Sequence, residues 1–345
     1  MISLKPGRIA RNVVAPVLIL AVIIAVFFRD LTPADILAGF LRIPPAFLAA
    51  FALLSLLGTL LRAWQYSVLL SGEMRFGSLF LITLVRNFSV DLLPGRSASL
   101  VFYSWLTRKK GIALEKGASS FVISVFYDSL ALTLMLGMLL IFLPTGMSRW
   151  PIFAAMAVLF AVSALILFFS RPLLQFLLGN DRLRRLRLSR IEGTIRLVSD
   201  YLAAHEGLRE RLKLLGISLA SRLCKYITNY VLFEGVLQLG VSLKHFSLFC
   251  FGLAATEASA LIPIHGPAGF GTWELAFAFV FSALRVPAAN IKEAGFVIHI
   301  TSQAWEYAIG LLALAYLAFA SGGKTPPLKG KAAAPPTGPG PNRSR

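Results

Sequence analysis

The chain has 345 residues, 57% of them hydrophobic and only 14% charged, with a formal charge of +18. Soluble domains average about 25% charged residues, and the apolar residues here come in long blocks that leave too little polar surface for a soluble fold. The basic excess lies beside those blocks, at Lys5, Arg8 and Arg11, over residues 171–213 and in the tail from Lys324 to Arg345. That distribution excludes nucleic acid as a partner and fits the bias of basic loops toward the cytoplasm.

Taken in chain order, the first apolar block covers residues 13–28. No small-residue cleavage site follows it, so it is expected to be a membrane span and not a removed signal. Further blocks cover residues 46–61, 117–143, 151–170, 214–241 and 296–320. A bilayer-spanning helix needs about 20 apolar residues, so each block is expected to cross once. With basic loops inside, the N-terminus is cytoplasmic and the loop over 29–42 is outside. Arg75 and the run Arg108-Lys109-Lys110 fall inside, residues 144–150 outside, and the 171–213 linker and the tail inside. Both termini are then cytoplasmic, as an even number of crossings demands. The expected location is the inner, cytoplasmic-type membrane.

Two other apolar regions are interrupted. Residues 76–106 are cut by Leu93-Pro94-Gly95-Arg96, and residues 246–284 are cut between Pro263 and Gly271. Proline removes a backbone donor and glycine loosens the helix. Exposed backbone at membrane depth is tolerated only inside protein or along a watery cavity. Both regions therefore read as re-entrant helical hairpins entering from opposite sides, with ordinary kinked helix pairs as the alternative. Residues 117–128 and 295–306 also align without gaps, placing Ser124 against Ser302, Tyr127 against Trp305 and Asp128 against Glu306. With opposed hairpins, this pattern resembles the inverted repeat of a secondary transporter. The expected fold is all-α: a polytopic membrane protein of about six spans and two broken hairpins over residues 1–320, followed by a disordered basic tail over 321–345. Inside the linker, residues 181–190 carry five arginines, and 191–202 are amphipathic, as an interfacial helix would be.

Charged side chains inside spans cost several kcal/mol and should face a cavity or one another. Here they form stripes. Ser120, Ser124, Tyr127 and Asp128 share one helical face, as do Arg222, Lys225, Tyr226, Asn229 and Tyr230, with Glu234 a turn beyond. His299, Ser302, Gln303, Glu306 and Tyr307 form a third stripe. The first hairpin adds Arg86, Asn87, Asp91 and Arg96, and the second adds Glu257, His265 and Glu274. One reading makes these structural salt bridges, with Arg62 and Arg222 snorkelling to the interface. The other gathers them into a hydrated chamber in which Arg86, Arg96, Arg222 and Lys225 bind a phosphate. The turn Gly269-x-Gly271 would add backbone amide donors to the same anion. No metal or other cofactor is expected: Cys224 and Cys250 lie in apolar segments, and the four histidines show no ligand spacing.

These motifs resemble the transmembrane region of lysylphosphatidylglycerol synthases, a flippase-like family. Arg62-Ala63-Trp64 matches its early R-x-W, and Asn87 with Leu93-Pro94-Gly95-Arg96 matches its first hairpin. Asp128 matches an aspartate in the next span, and Pro263, Gly266, Gly269, Gly271 and Glu274 match the second hairpin, the most specific part. The similarity runs over about residues 10–320. The chain departs from the pattern at Ala98-Ser99, at Phe102 and at Val125, where the family carries a glycine-glutamate pair and two arginines.

The resemblance implies a translocase that moves an anionic lipid or a lipid-linked phosphate across the membrane, with no catalytic residues. The aminoacyl-transferase domain of bifunctional relatives is expected to be missing. Two other functions fit the same residues: a lipid-modifying transferase using Asp128, Glu274 or His265 as acid or base, and a non-catalytic membrane partner of a separate synthase. Partners that fit are a membrane lipid, a second copy of the chain or such an enzyme.

Overall fold

The computed structural model describes residues 32–92, 96–142, 207–258, 270–283 and 291–321, together with a helical stretch at 156–165 and isolated positions at 21, 25, 150, 153–154 and 167. Most of the first apolar block, of the 171–213 linker and of the tail, and both hairpin tips, lie outside the described residues. Everything described is helix, turn or short connection, so the protein is an all-α polytopic helical protein.

The helices in order are α1 (Pro33–Arg42), α2 (Pro45–Leu69), α3 (Phe76–Leu92), α4 (Arg96–Lys109) and α5 (Leu114–Leu139), the last ending in a 3-10 turn at Leu140–Phe142. Then come α6 (Met156–Leu165), α7 (Leu208–Leu237), α8 (Leu243–Ala258), α9 (Thr272–Ala283) and α10 (Ile291–Ser321). Three of them, α2, α5 and α10, are long and apolar enough to cross a membrane. Helix α7 has 30 residues, about 45 Å, but seven of its side chains are charged. It is the central helix, with α2, α5, α10 and parts of α1 and α8 packed around it.

Two element boundaries differ from the sequence expectation for a physical reason. Helix α2 runs two turns past Leu61, because the polar residues Arg62 and Gln65 are satisfied inside the protein and do not end the helix. The expected outer loop over 29–42 contains α1. Thr32 caps it by accepting from the Asp35 amide, Asp35 accepts from the Thr32 amide in return, and Pro33 occupies the first turn. The Thr32 hydroxyl also donates to Asp35, which holds that carboxyl below its ordinary range.

Burial is inverted relative to a soluble protein. Phe319, Leu312 and Leu53 are 86%, 71% and 70% exposed, whereas Glu274 and Gln65 are fully buried and Asp128 is 5% exposed. An apolar outside and a polar inside is what lipid, not water, selects.

Among the described residues, the interior is built mainly on two large clusters at opposite ends of the long helices. One joins Tyr66 and Leu69 at the end of α2 to Leu79, Ile82 and Val85 of α3, Tyr103 and Leu106 of α4, Phe121 and Tyr127 of α5, Leu214 of α7 and Leu317 of α10. The other joins Phe51 near the start of α2 to Leu139 of α5, Phe233 and Val236 of α7, Phe249 of α8, Phe277 and Phe281 of α9, and Val297 of α10. The hairpin α3–α4 is therefore rooted at one end of the bundle and α8–α9 at the other. Their arms have 17, 14, 16 and 12 residues. At about 1.5 Å per residue none reaches the ~30 Å of a hydrocarbon core. Close backbone approaches seat both hairpins. A side chain at Gly310 of α10 would collide with Phe88 of α3, and one at Gly252 of α8 would enter the Phe281 ring of α9.

Candidate functional site

Between the two apolar clusters lies a layer of polar residues at mid-helix positions. Arg62 of α2 grips Asp128 of α5 with both terminal nitrogens at 2.6 Å, and its Nη1 also donates to Gln65 at 2.6 Å. Gln65 in turn donates to Ser218 of α7 at 2.5 Å, so three long helices meet through one fully buried amide. Ser124, one turn before Asp128, donates to the Tyr66 hydroxyl at 3.3 Å.

The innermost described turn of each hairpin reaches this layer. From α3, Asn87 donates to Thr59 of α2 at 3.3 Å and accepts from Arg86 at 3.2 Å. The Arg86 guanidinium lies 5.1 Å from the Phe121 ring centre, a cation–π contact. From the end of α8, Glu257 is held by three donors of α7: Lys225 Nζ at 2.6 Å, Arg222 Nη1 at 3.3 Å and the Tyr226 hydroxyl at 3.3 Å. Arg222 is within electrostatic reach of both Asp128 and Glu257, which links the two ion-pair groups. In these pairs three cations (Arg62, Arg222 and Lys225) face two carboxylates, so the layer has a positive excess.

A second buried group lies nearer the start of α10. Glu274 of α9 accepts from the Gly271 amide at 2.7 Å through Oε2 and meets His299 Nδ1 at 2.5 Å through Oε1. The His299 ring stacks with Phe270 at 4.5 Å and lies 4.6 Å from Trp273. Gln303, one turn along α10, approaches His299 Nε2 at 3.4 Å.

Of the residues read from the sequence, Arg86, Asn87, Asp128, Arg222 and Lys225 belong to the central layer. Glu274 and Gly271 are placed apart from it, beside His299. Glu306 is half-buried on α10 and engaged, two turns beyond His299. The side chains of Asp91 and Arg96, and all of His265 and Gly269, lie outside the described residues. Arg62 does not snorkel: it is 12% exposed and locked to Asp128. The expected chamber-lining stripes include Glu257 and His299 but not Arg62 and Gln65. A signal for these two was present, since Thr59, Arg62 and Gln65 recur every three residues on one face of a helix.

An apolar exterior, short opposed hairpins and a buried ionic layer define a polytopic helical membrane protein with a polar interior. Residues 13–310 match the lysylphosphatidylglycerol synthase transmembrane region, and the chain belongs to that family of membrane proteins. The family points to a role connected with membrane lipid. No curated protein and no solved structure matches the chain.

Proposed function

We propose that the protein is a lipid translocase that carries an anionic lipid, or a lipid-linked phosphate, between leaflets. The observation that carries this reading is the convergence of two short hairpins, rooted at opposite ends, on one polar layer. A headgroup crossing a membrane needs such a polar route, and broken helices around a central site are the means by which secondary transporters provide it. In this reading the Asp128 and Glu306 segments are the two halves of an inverted repeat.

Glu257 supports the anion assignment. Arg222, Lys225 and Tyr226 converge on its carboxylate, and the same donors suit a phosphate, which offers acceptor oxygens of the same charge. Glu257 then acts as an internal counter-ion that the lipid phosphate displaces. Lys225, 52% exposed, is where a headgroup first meets the site.

The test is translocation of labelled anionic lipid in liposomes, counted per folded molecule. Wild-type protein should move the lipid, and Arg222→Gln combined with Lys225→Gln should slow it by roughly ten- to a hundred-fold per folded molecule. Arg96→Lys should also slow it, because lysine cannot make the planar fork of arginine. Wild-type rates in stable, folded variants would end the proposal.

A further inference from the structure

The central layer does not use the Glu274–His299 pair, although both side chains are buried and ionisable. In the described structure His299 Nδ1 faces the carboxylate, which makes Nδ1–H the donor and leaves Nε2 of a neutral ring as an acceptor. Gln303 meets that need: its amide nitrogen lies 3.4 Å from Nε2. Its amide oxygen is buried without a hydrogen-bond partner. Rotating that amide by half a turn would place the oxygen opposite Nε2, as an imidazolium N–H requires. The site thus holds a partner for each protonation state of the ring, and the unpaired oxygen is the acceptor waiting for the second state.

The surroundings favour a cation as well. Phe270 and Trp273 place aromatic rings against the imidazole, and Glu274 supplies the counter-charge. Protonation at Nε2 takes the pair from a net charge of −1 to neutral, which a buried site tolerates better than an isolated charge. The other titratable groups on the packed elements are occupied or distant along the helix. Glu293 of α10 is paired with Arg42 of α1 at 3.1 Å, Asp35 is bound to Thr32, and Glu306 lies two turns further along α10. On α7, Arg222 and Lys225 hold Glu257 of α8, while Glu234 accepts from the Gly240 amide. Lys244 and His245 stand at the start of α8, and Arg86 of α3 is bound to Asn87. Glu274 is the one carboxylate bonded to His299 among the described residues.

We infer that Glu274, His299 and Gln303 form a buried proton-binding site that supplies the coupling ion for translocation. Its ligand is a proton, received at His299 Nε2 and returned from the same atom. His299, Gln303 and Glu306 share one face of α10 and lead toward the middle of the helix, the direction in which that proton travels. The state of the ring is felt by the second hairpin, since residues 270, 271, 273 and 274 all touch the imidazole or its carboxylate. The coupling role rests on the translocase reading, whereas the proton site itself does not.

Full-length protein with 15N-labelled histidine in lipid nanodiscs tests the site. The chain has four histidines, and loss of one signal in His299→Gln assigns the ring. The expected wild-type result is an Nδ1–H tautomer that gains a second ring proton as the pH is lowered. In Glu274→Gln the imidazolium signal should fall relative to wild type at the same pH, since the carboxylate that pairs with the cation is gone. If that variant does not fold, the wild-type titration and Glu274→Asp decide the matter, with a smaller fall expected for aspartate. A ring that keeps one protonation state throughout, or an imidazolium signal unchanged in Glu274→Gln, overturns the site.

Proteoliposomes enclosing a pH dye test the coupling. Lipid movement in the wild type should carry protons, and His299→Gln should abolish the proton signal. Lipid movement without proton movement overturns the coupling. Titration of His299 with no lipid movement by the wild type would instead overturn the translocase reading and support the proton site.

Discussion

Arg62 and Asp128 meet across 66 residues of chain in a two-point contact, with Nη1–Oδ1 and Nη2–Oδ2 both 2.6 Å. The pair fastens α2 to α5 inside the bundle, with its side chains 12% and 7% exposed. Gln65 and Ser218 extend the same connection to α7.

Removing one member of that pair leaves the other buried and uncompensated. Asp128→Asn and Arg62→Met should each destabilise the protein by about 3–5 kcal/mol. The double variant Arg62→Met with Asp128→Leu should recover much of that loss, because no lone charge remains. Unfolding in detergent across the four proteins measures the coupling. Additive losses would show that the two residues act independently.

Glu257→Gln tests the internal counter-ion. Neutralising it leaves Arg222 and Lys225 without their carboxylate, so they should bind anionic headgroups more tightly. Charge-assisted hydrogen bonds contribute about 1.5–3 kcal/mol, or roughly ten-fold or more in affinity. Quantifying the anionic lipid that copurifies with each protein checks the direction. Less bound lipid in the variant would show that Glu257 helps to build the site and does not compete for it.

The long apolar blocks, the two interrupted regions and Asp128 are legible in the sequence because each departs sharply from its local background: a proline-glycine break in an apolar run, or a charge in the middle of one. Arg62 and Gln65 are harder to read. They stand where the hydropathy falls, so they look like the end of a span, and only the buried partners Asp128 and Ser218 show that the helix continues. Helix α1 carries its signal in Thr32, Pro33 and Asp35, a capping box that composition alone hides. Glu257 and His299 are visible as polar residues in apolar surroundings. Their partners are supplied by helices far away in sequence, and no local pattern names a partner 35 or 25 residues distant.

Close packing of the first hairpin gives a third prediction. Gly310 of α10 lies against the Phe88 side chain and the Leu84 carbonyl of α3, so a larger residue must push the two helices apart. Gly310→Leu should cost about 1–3 kcal/mol through overpacking and lower the melting temperature. Gly216 of α7 has nothing within 4 Å of where a methyl would stand. Gly216→Ala should be neutral or stabilising by up to about 1 kcal/mol, since alanine favours the helix. Equal effects at the two positions would contradict the packing described for α3 and α10.

The fourth prediction concerns orientation. The bundle end that holds the base of α3–α4 carries Arg75, Arg108, Lys109, Lys110, Lys116, Arg209, Arg211 and Lys213, against Glu73, Glu115 and Glu210. The end that holds the base of α8–α9 carries Arg42, Lys244 and Lys292 against Asp35 and Glu293. The first end is thus strongly basic and the second nearly balanced, so the positive-inside bias places the first in the cytoplasm. Lys110 and Lys244 are both exposed, one just after α4 and the other at the start of α8. The native Cys224 and Cys250 are buried and can be replaced by serine to give a silent background. In that background Lys110→Cys should react with a membrane-impermeant thiol reagent only when the cytoplasmic face is opened. Lys244→Cys should react from outside in intact cells, and Ser189→Cys in the basic linker should follow Lys110→Cys. Labelling of positions 110 and 244 from the same face would mean that the hairpins enter from one side, and the inverted repeat would fall with that result. Labelling from opposite faces but with the order reversed would keep the repeat and turn the whole protein over in the membrane.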